Sequence, residues 1–174
     1  KPTSWMVATS AREADGRETP LPTFAHHMLC DGDGVFPTEL NEWEREVLNA
    51  EMGREGFSAW YRNPSLCSQD SLGIAYTDNT QVKVVRPDFI FFSRQADGTI
   101  AADIVDPHGT HFSDSVPKLQ GLALYAETHP ALYRRIEAVA KIGGKFRALD
   151  LTNPLVRKEV REAKEAKSLF EGTL

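Results

Sequence analysis

Two aspartates, Asp88 and Asp106, frame the stretch of this chain with the most chemical content. Asp88 follows Pro87 and opens the apolar run Phe89-Ile90-Phe91-Phe92, whereas Asp106 closes the run Ile100 to Val105 and leads into Pro107-His108-Gly109. Both runs are short and rich in aromatic or β-branched residues, and they are joined by Gln95-Ala96-Asp97-Gly98, whose Asp-Gly step suits a tight hairpin. A hairpin brings the two carboxylates to one mouth. Carboxylates converging there are costly unless solvated, paired or bound to a cation, and a hard cation takes oxygen ligands. The pair therefore predicts a hard-metal site. Asp103 is a competing strand acid, but alternation puts it on the opposite face from Asp106, and Asp106 has the following Gly109.

Other groups invite a softer metal. Asp106, His108, His111 and Asp114 form an Asp-x-His-x-x-His-x-x-Asp run that offers transition-metal ligands, or else caps a turn and the start of a helix. His26, His27 and Cys30 lie close together without a fourth nearby donor, which argues against zinc there.

The elements that must position these residues follow from periodicity. Residues 1–36 show no sustained period, are punctuated by Pro and Gly, and read as an irregular lead-in to a domain spanning 37–174. Leu40, Trp43, Val47 and Leu48 recur at helical spacing, predicting a helix over Thr38 to Met52. Glu44 shares the inward face of that helix, so it either pairs with an Arg, caps a backbone group or points at a site. Phe57 to Tyr61, Leu72 to Thr77, Val82 to Phe92 and Thr99 to Asp106 read as a meander of strands. Val116 to Ala126 reads as a helix begun at Asp114 or Ser115, and Ile136 to Lys141 and Phe146 to Leu151 flank Gly143-Gly144 as a hairpin. Pro154 to Phe170 reads as a closing helix capped by Asn153. The order predicts an α/β fold around a mixed central sheet flanked by helices.

Composition narrows the field. The chain has 174 residues, 41% of them hydrophobic, enough for one domain with a full core. No run of about 18 apolar residues occurs, so no membrane helix is encoded. The chain begins Lys1-Pro2-Thr3 without an initiator Met or an apolar signal core, which suggests a piece of a longer protein. Cys30 and Cys67 form no CxxC pair and give no disulfide framework, so a reducing cytoplasm is the expected location. The net charge of −5 argues against a protein that coats nucleic acid. Yet residues 133 to 158 carry Arg134, Arg135, Lys141, Lys145, Arg147, Arg157 and Lys158, which form either a phosphate-tracking face or a solvated rim.

The order and spacing of these pieces resemble the PD-(D/E)XK nuclease superfamily, in particular the nuclease-like domain of type III restriction enzymes and related helicase-associated defence proteins. Glu44 corresponds to the helix acid, Trp60-Tyr61-Arg62-Asn63 to a Trp-x-x-Asn strand end, and Tyr76 to a strand tyrosine. Pro87-Asp88-Phe89-Ile90 corresponds to the Pro-Asp strand, Asp106-Pro107-His108-Gly109 to the Glu-x-Lys-Gly end, and Lys118 to a helix lysine. The resemblance covers roughly residues 38 to 151 and implies a restriction-endonuclease-like αβββαβ core. It further implies a Mg²⁺- or Mn²⁺-dependent DNA endonuclease, with Asp88, Asp106 and the Pro107 carbonyl at the metal and Glu44 assisting. Arg134, Arg135 and Lys145 are the expected phosphate contacts. A helicase-type ATPase is the expected partner and must lie outside these residues, because no Gly-x-x-x-x-Gly-Lys loop occurs here.

One departure bears on the chemistry. His108 stands where the resemblance calls for lysine. Imidazole can take a proton or hold a water, but lacks the fixed charge of an ammonium. Three alternatives follow: His108 takes the role, Lys118 reaches in from the next helix, or the site no longer cuts and the domain binds DNA or serves as a scaffold. A zinc hydrolase built on His108 and His111 is a further alternative. Gln120 and Tyr125 resemble a Gln and Tyr of RecB-like nucleases, but one residue too far apart, and read better as plain helix surface. Trp60 and Tyr76 read as core rather than base-stacking platforms.

Overall fold

The computed structural model describes residues 8–30, 32–109 and 114–172. In chain order the elements are β1 (Ser10–Arg12), β2 (Glu18–Pro20), β3 (Thr23–Ala25), β4 (Val35–Pro37), α1 (Glu42–Met52), β5 (Phe57–Arg62), β6 (Ile74–Asp78), β7 (Gln81–Val85), β8 (Phe89–Arg94) and β9 (Ile100–Pro107). They continue with α2 (Ser115–Thr128), β10 (Arg135–Ile142), β11 (Lys145–Asp150), α3 (Pro154–Glu162) and α4 (Ala166–Glu171).

The central sheet has five strands in the order β11-β10-β9-β8-β5. Its pairs are antiparallel except β9 with β10, which run parallel and are joined through α2, as a parallel crossover requires. The chain is thus a mixed α/β fold. The β8–β9 hairpin forms as its sequence predicts, with Phe89 opposite Val105 and Gly98 at a φ of 85° in the turn.

Apolar residues line both faces of the sheet, so its central strands read as nearly continuous hydrophobic runs. Ile104, Ile136 and Ala138 face a core shared with α2, α3 and α4, which includes Leu119, Leu122, Val160 and Phe170. Their neighbours Val105 and Val139, with Phe89 and Phe91, face a second core with Val47 and Leu48 of α1.

Three expectations are corrected. Leu72 to Phe92 does not continue the meander: β6 and β7 pair only with each other, and the single expected strand Val82 to Phe92 breaks before β8. Pro87 explains the break, since it lacks the N–H a ladder needs. The hairpin then packs on α2, where Gly121 comes so close that a Cβ would lie 2.4 Å from the Cβ of Tyr76. The closing helix is likewise two helices, because Ala163 is extended. On one continuous helix, residues 160 and 170 would point about 80° apart; the break lets Val160, Ala166 and Phe170 all bury.

The lead-in is also more than irregular chain. It carries β1 to β4, and Phe36 and His27 are buried. His27 bridges to Trp60 of β5, whose indole N–H donates to the Ala25 carbonyl at 2.7 Å. This segment therefore packs on the β5 edge of the sheet across the expected boundary at 36/37.

Candidate functional site

Pro87 ends the β7 ladder and leaves Asp88 in the short link into β8, where its backbone is held from outside the strands. Asn63, at the end of β5, is the clamp. Its side-chain amide donates to the Pro87 and Leu72 carbonyls at 2.8 and 2.9 Å, its carbonyl accepts from the Leu72 N–H, and its backbone N–H donates to the Asp88 carbonyl. Asn63 is buried with these partners satisfied. The Asp88 N–H then donates to Asp106 Oδ1 at 3.1 Å. The two residues predicted to meet at the mouth of the hairpin are thus joined there, backbone amide to carboxylate.

Asp106 and His108 sit at the end of β9, on the face that meets α2. His108 continues the ladder by donating its backbone N–H to Val139. Its ring is buried between two fixed groups: Nε2 lies 3.2 Å from the Ser115 carbonyl and Nδ1 lies 3.5 Å from Asp106 Oδ2. The carbonyl and an ionised carboxylate both only accept, so Nε2 donates to Ser115 and Nδ1, turned toward Asp106, donates to it when it carries a proton.

Asp88, Asp106, Pro107, His108 and Lys118 all line one half-open cavity of about 320 Å³. Arg86 also lines it and donates from Nε to Ser71. Lys118 reaches it from α2 while paired with Asp114 at 3.0 Å. The sequence had flagged every one of these but Arg86.

Glu44 reaches the cluster only through a residue to which sequence gave no role. One of its oxygens accepts from the Asn41 N–H in a capping box at the start of α1, and the other pairs with Arg62 at 2.7 Å. Arg62 in turn pairs with Asp88 at 2.8 Å and lies over the Phe89 ring. Glu44 thus fulfils both structural alternatives, ion pair and backbone cap, and it does not line the cavity. Arg62 is the last residue of β5, just past the strand that the sequence predicts, and no local pattern marked it.

Electrostatics mark the Asp88 position. Burial, then the neighbouring Asp106 charge, push its carboxyl up to about 6, against the lowering effect of Arg62. A carboxylate crowded by its neighbours in this way gains from a nearby cation. Among the described residues, no three His, Cys, Asp or Glu side chains gather closely enough to hold a metal ion by themselves. Mg²⁺ needs no such cage, since it keeps several waters and is commonly held by one or two carboxylates. Asp88 and Asp106 are such a pair of carboxylates; among the described residues there is no four-donor zinc cage.

The two softer-metal candidates stand differently. His111 lies outside the described residues. His27 presents its two ring nitrogens to the backbone N–H groups of Leu29 and Arg62, at 3.1 and 3.0 Å. Neutral imidazole has one acceptor, and a protonated ring has none, so protonation would oppose both contacts. Burial holds the ring down to about 4.

The expected phosphate contacts are placed elsewhere. Arg134 pairs with the buried Asp103, and Arg135 pairs with Asp103, Glu51 and Glu137 at 3.0, 2.6 and 2.8 Å. These guanidiniums, one exposed and one half-buried, serve an ion network around the buried Asp103 and Glu51 on the α1 side of the sheet, opposite Asp106. Lys145 is exposed at the β10–β11 turn. Gln120 donates to the Val160 and Arg161 carbonyls, which ties α2 to α3, and Tyr125 packs on Tyr133. Trp60 and Tyr76 are buried in the core.

Comparison with known proteins adds a family. A model of the YagJ family matches residues 25–174. This chain belongs to the YagJ family. It is 49% identical over 174 residues to Protein YagJ of Escherichia coli (strain K12), a match that covers 100% of this chain and 71% of that relative. The family match includes the Asp88–Asp106 cavity together with β4 and the His27 contact with β5. No solved structure matches this YagJ-family chain. Among its described residues, no helix is long and apolar enough to cross a membrane.

Proposed function

We propose that this chain is a PD-(D/E)XK-type nuclease domain that hydrolyses phosphodiester bonds in DNA with Mg²⁺ or Mn²⁺. The observation that carries this reading is the meeting of Asp88, Asp106, His108 and Lys118 on one cavity at the joined ends of β8 and β9. The connectivity supports it as well. Helix α1, the antiparallel strands β5, β8 and β9, helix α2 and the parallel strand β10 follow the αβββαβ order, with β6–β7 as an insertion.

A divalent ion held by Asp88 and Asp106 would acidify its water and offset charge building on the scissile phosphate. The chain supplies the rest. Asn63 fixes the backbone around Asp88, the Asp88 N–H fixes the Asp106 carboxylate, and Arg62 fixes that of Asp88, all before any ion arrives. His108, held at Nε2 by the Ser115 carbonyl, faces Asp106 Oδ2 through Nδ1, where a proton taken by the ring would be held by that carboxylate. Lys118 and Arg86 supply positive charge to hold phosphate oxygens at the same cavity. The helicase-type ATPase partner and a defence role belong to this reading through the resemblance.

A second reading is a nuclease-like fold that binds DNA without cutting it. Two contacts favour it: Arg62 already pairs with Asp88, and His108 replaces lysine beside Asp106. A cleavage assay separates the two. The full chain is incubated with supercoiled and single-stranded DNA in Mg²⁺ or Mn²⁺, with Asp88→Ala and Asp106→Ala as controls. Nicking lost in both variants supports the nuclease; salt-sensitive binding without any nicking supports the second reading.

A further inference from the structure

Arg62 is built into the acidic cluster rather than draped over it. Its guanidinium spans Glu44 and Asp88 at 2.7 and 2.8 Å, its face lies 5.0 Å from the Phe89 ring centroid, and its own backbone N–H is held by His27. Four separate contacts fix the side chain and the backbone that carries it. Glu44 is turned away from the cavity by the same pairing, while Asp88 and Asp106 line it. A carboxylate has about four lone-pair positions, so Asp88 can keep Arg62 and still accept another cation from the cavity side.

Resting on the metal-site reading above, we propose that Arg62 is a resident cation that limits this site to a single divalent ion, held by Asp88 and Asp106. Position carries this reading. Glu44 and Asp88 share the guanidinium, Asp106 is bound to the Asp88 N–H instead, and Asp88 and Asp106 line the cavity while Glu44 does not. A second divalent ion between Glu44 and Asp88 would have to expel an arginine already anchored there by charge-assisted bonds. Arg62 is therefore a positioning residue: it orients Asp88 and occupies the place of a second metal.

The test counts bound Mn²⁺ per chain, by electron paramagnetic resonance of the free ion at equilibrium. The wild-type chain is expected to bind one ion, and Arg62→Lys, which keeps the charge, also one. Arg62→Gln frees Glu44 and Asp88 and is expected to bind two, and adding Glu44→Gln is expected to return the count to one. Two ions on the wild-type chain would overturn the proposal and leave the metal site standing. So would a folded Arg62→Gln chain that still binds one. No Mn²⁺ on the wild-type chain would remove both the metal site and the proposal. The wild-type count needs no variant, so a poorly folding substitution does not block the test.

Discussion

The backbone amide of Asp88 donates to the carboxylate of Asp106 at 3.1 Å, across the mouths of β8 and β9. One side chain therefore has two tasks: it accepts a buried backbone hydrogen bond and contributes charge to the cavity. Asp106→Asn keeps an oxygen for the amide and removes the charge, whereas Asp106→Ala removes both. Urea unfolding is expected to place Asp106→Asn close to wild type and Asp106→Ala about 1–3 kcal/mol below it, the usual cost of an orphaned buried group. Both variants are expected to lose Mn²⁺ binding and cleavage. An Asp106→Asn chain that still cuts would remove Asp106 from the metal.

Stability should depend on pH through two residues of opposite sign. Burial lowers His27 from 6.5 to about 4, so the unfolded chain binds more protons between those values. Stability falls as pH drops through that window, by about 3 kcal/mol in full. Asp88 is raised from 3.8 to about 6, so the folded chain binds more protons there, and stability rises as pH drops through it. Its contribution is of similar size, about 3 kcal/mol, and offsets that of His27. In chelator, Asp88→Asn is expected to lose stability more steeply than wild type from pH 6.5 to 4, followed by urea midpoint. His27→Gln is expected to lose less than wild type. Parallel profiles for all three chains would refute the assignment.

The legible parts of this molecule were those whose reasons lie within a few residues. Alternation and an Asp-Gly turn gave the β8–β9 hairpin and the convergence of its acids, and Asn153 with Pro154 gave the start of α3. The illegible parts depend on partners distant in sequence. Arg134 and Arg135 read as a basic face because Asp103 and Glu51, which bind them, lie far upstream. Arg62 looked unremarkable until Glu44 and Asp88 were brought to either side of it. The β6–β7 hairpin left the meander for α2, a choice made by Gly121 and Tyr76 at a contact no periodicity encodes.

That contact gives a prediction in which two effects of known size compete. Gly121→Ala within a helix should gain about 1 kcal/mol from helix propensity. Its Cβ, however, would meet the Tyr76 Cβ at 2.4 Å, and neither atom sits at the end of a flexible side chain. Forced overpacking costs about 1–3 kcal/mol, so the net effect is expected to be destabilising. Tyr76→Ala keeps the offending Cβ and should not rescue Gly121→Ala, whereas Tyr76→Gly should reduce the loss. A raised melting temperature for Gly121→Ala would show that the hairpin does not press on α2 at this point.

The ion network beneath the sheet separates folding from nucleic-acid contact. Arg135 is half-buried and pairs with Glu137 and with the buried Asp103 and Glu51. Removing one partner of a buried pair leaves uncompensated charge and costs about 3–5 kcal/mol. Arg135→Ala is thus expected to lower the urea midpoint sharply, and Lys145→Ala, at an exposed turn, to leave it unchanged. DNA affinity should respond in the reverse pattern if either residue touches phosphate: a lost contact flattens the dependence of log K on log salt by about one unit. The expected result is an unchanged salt slope for Arg135→Ala wherever the variant is folded. A reduced slope with full stability would return Arg135 to the DNA-binding surface and would require the Asp103–Glu51–Glu137 pairing to open on binding.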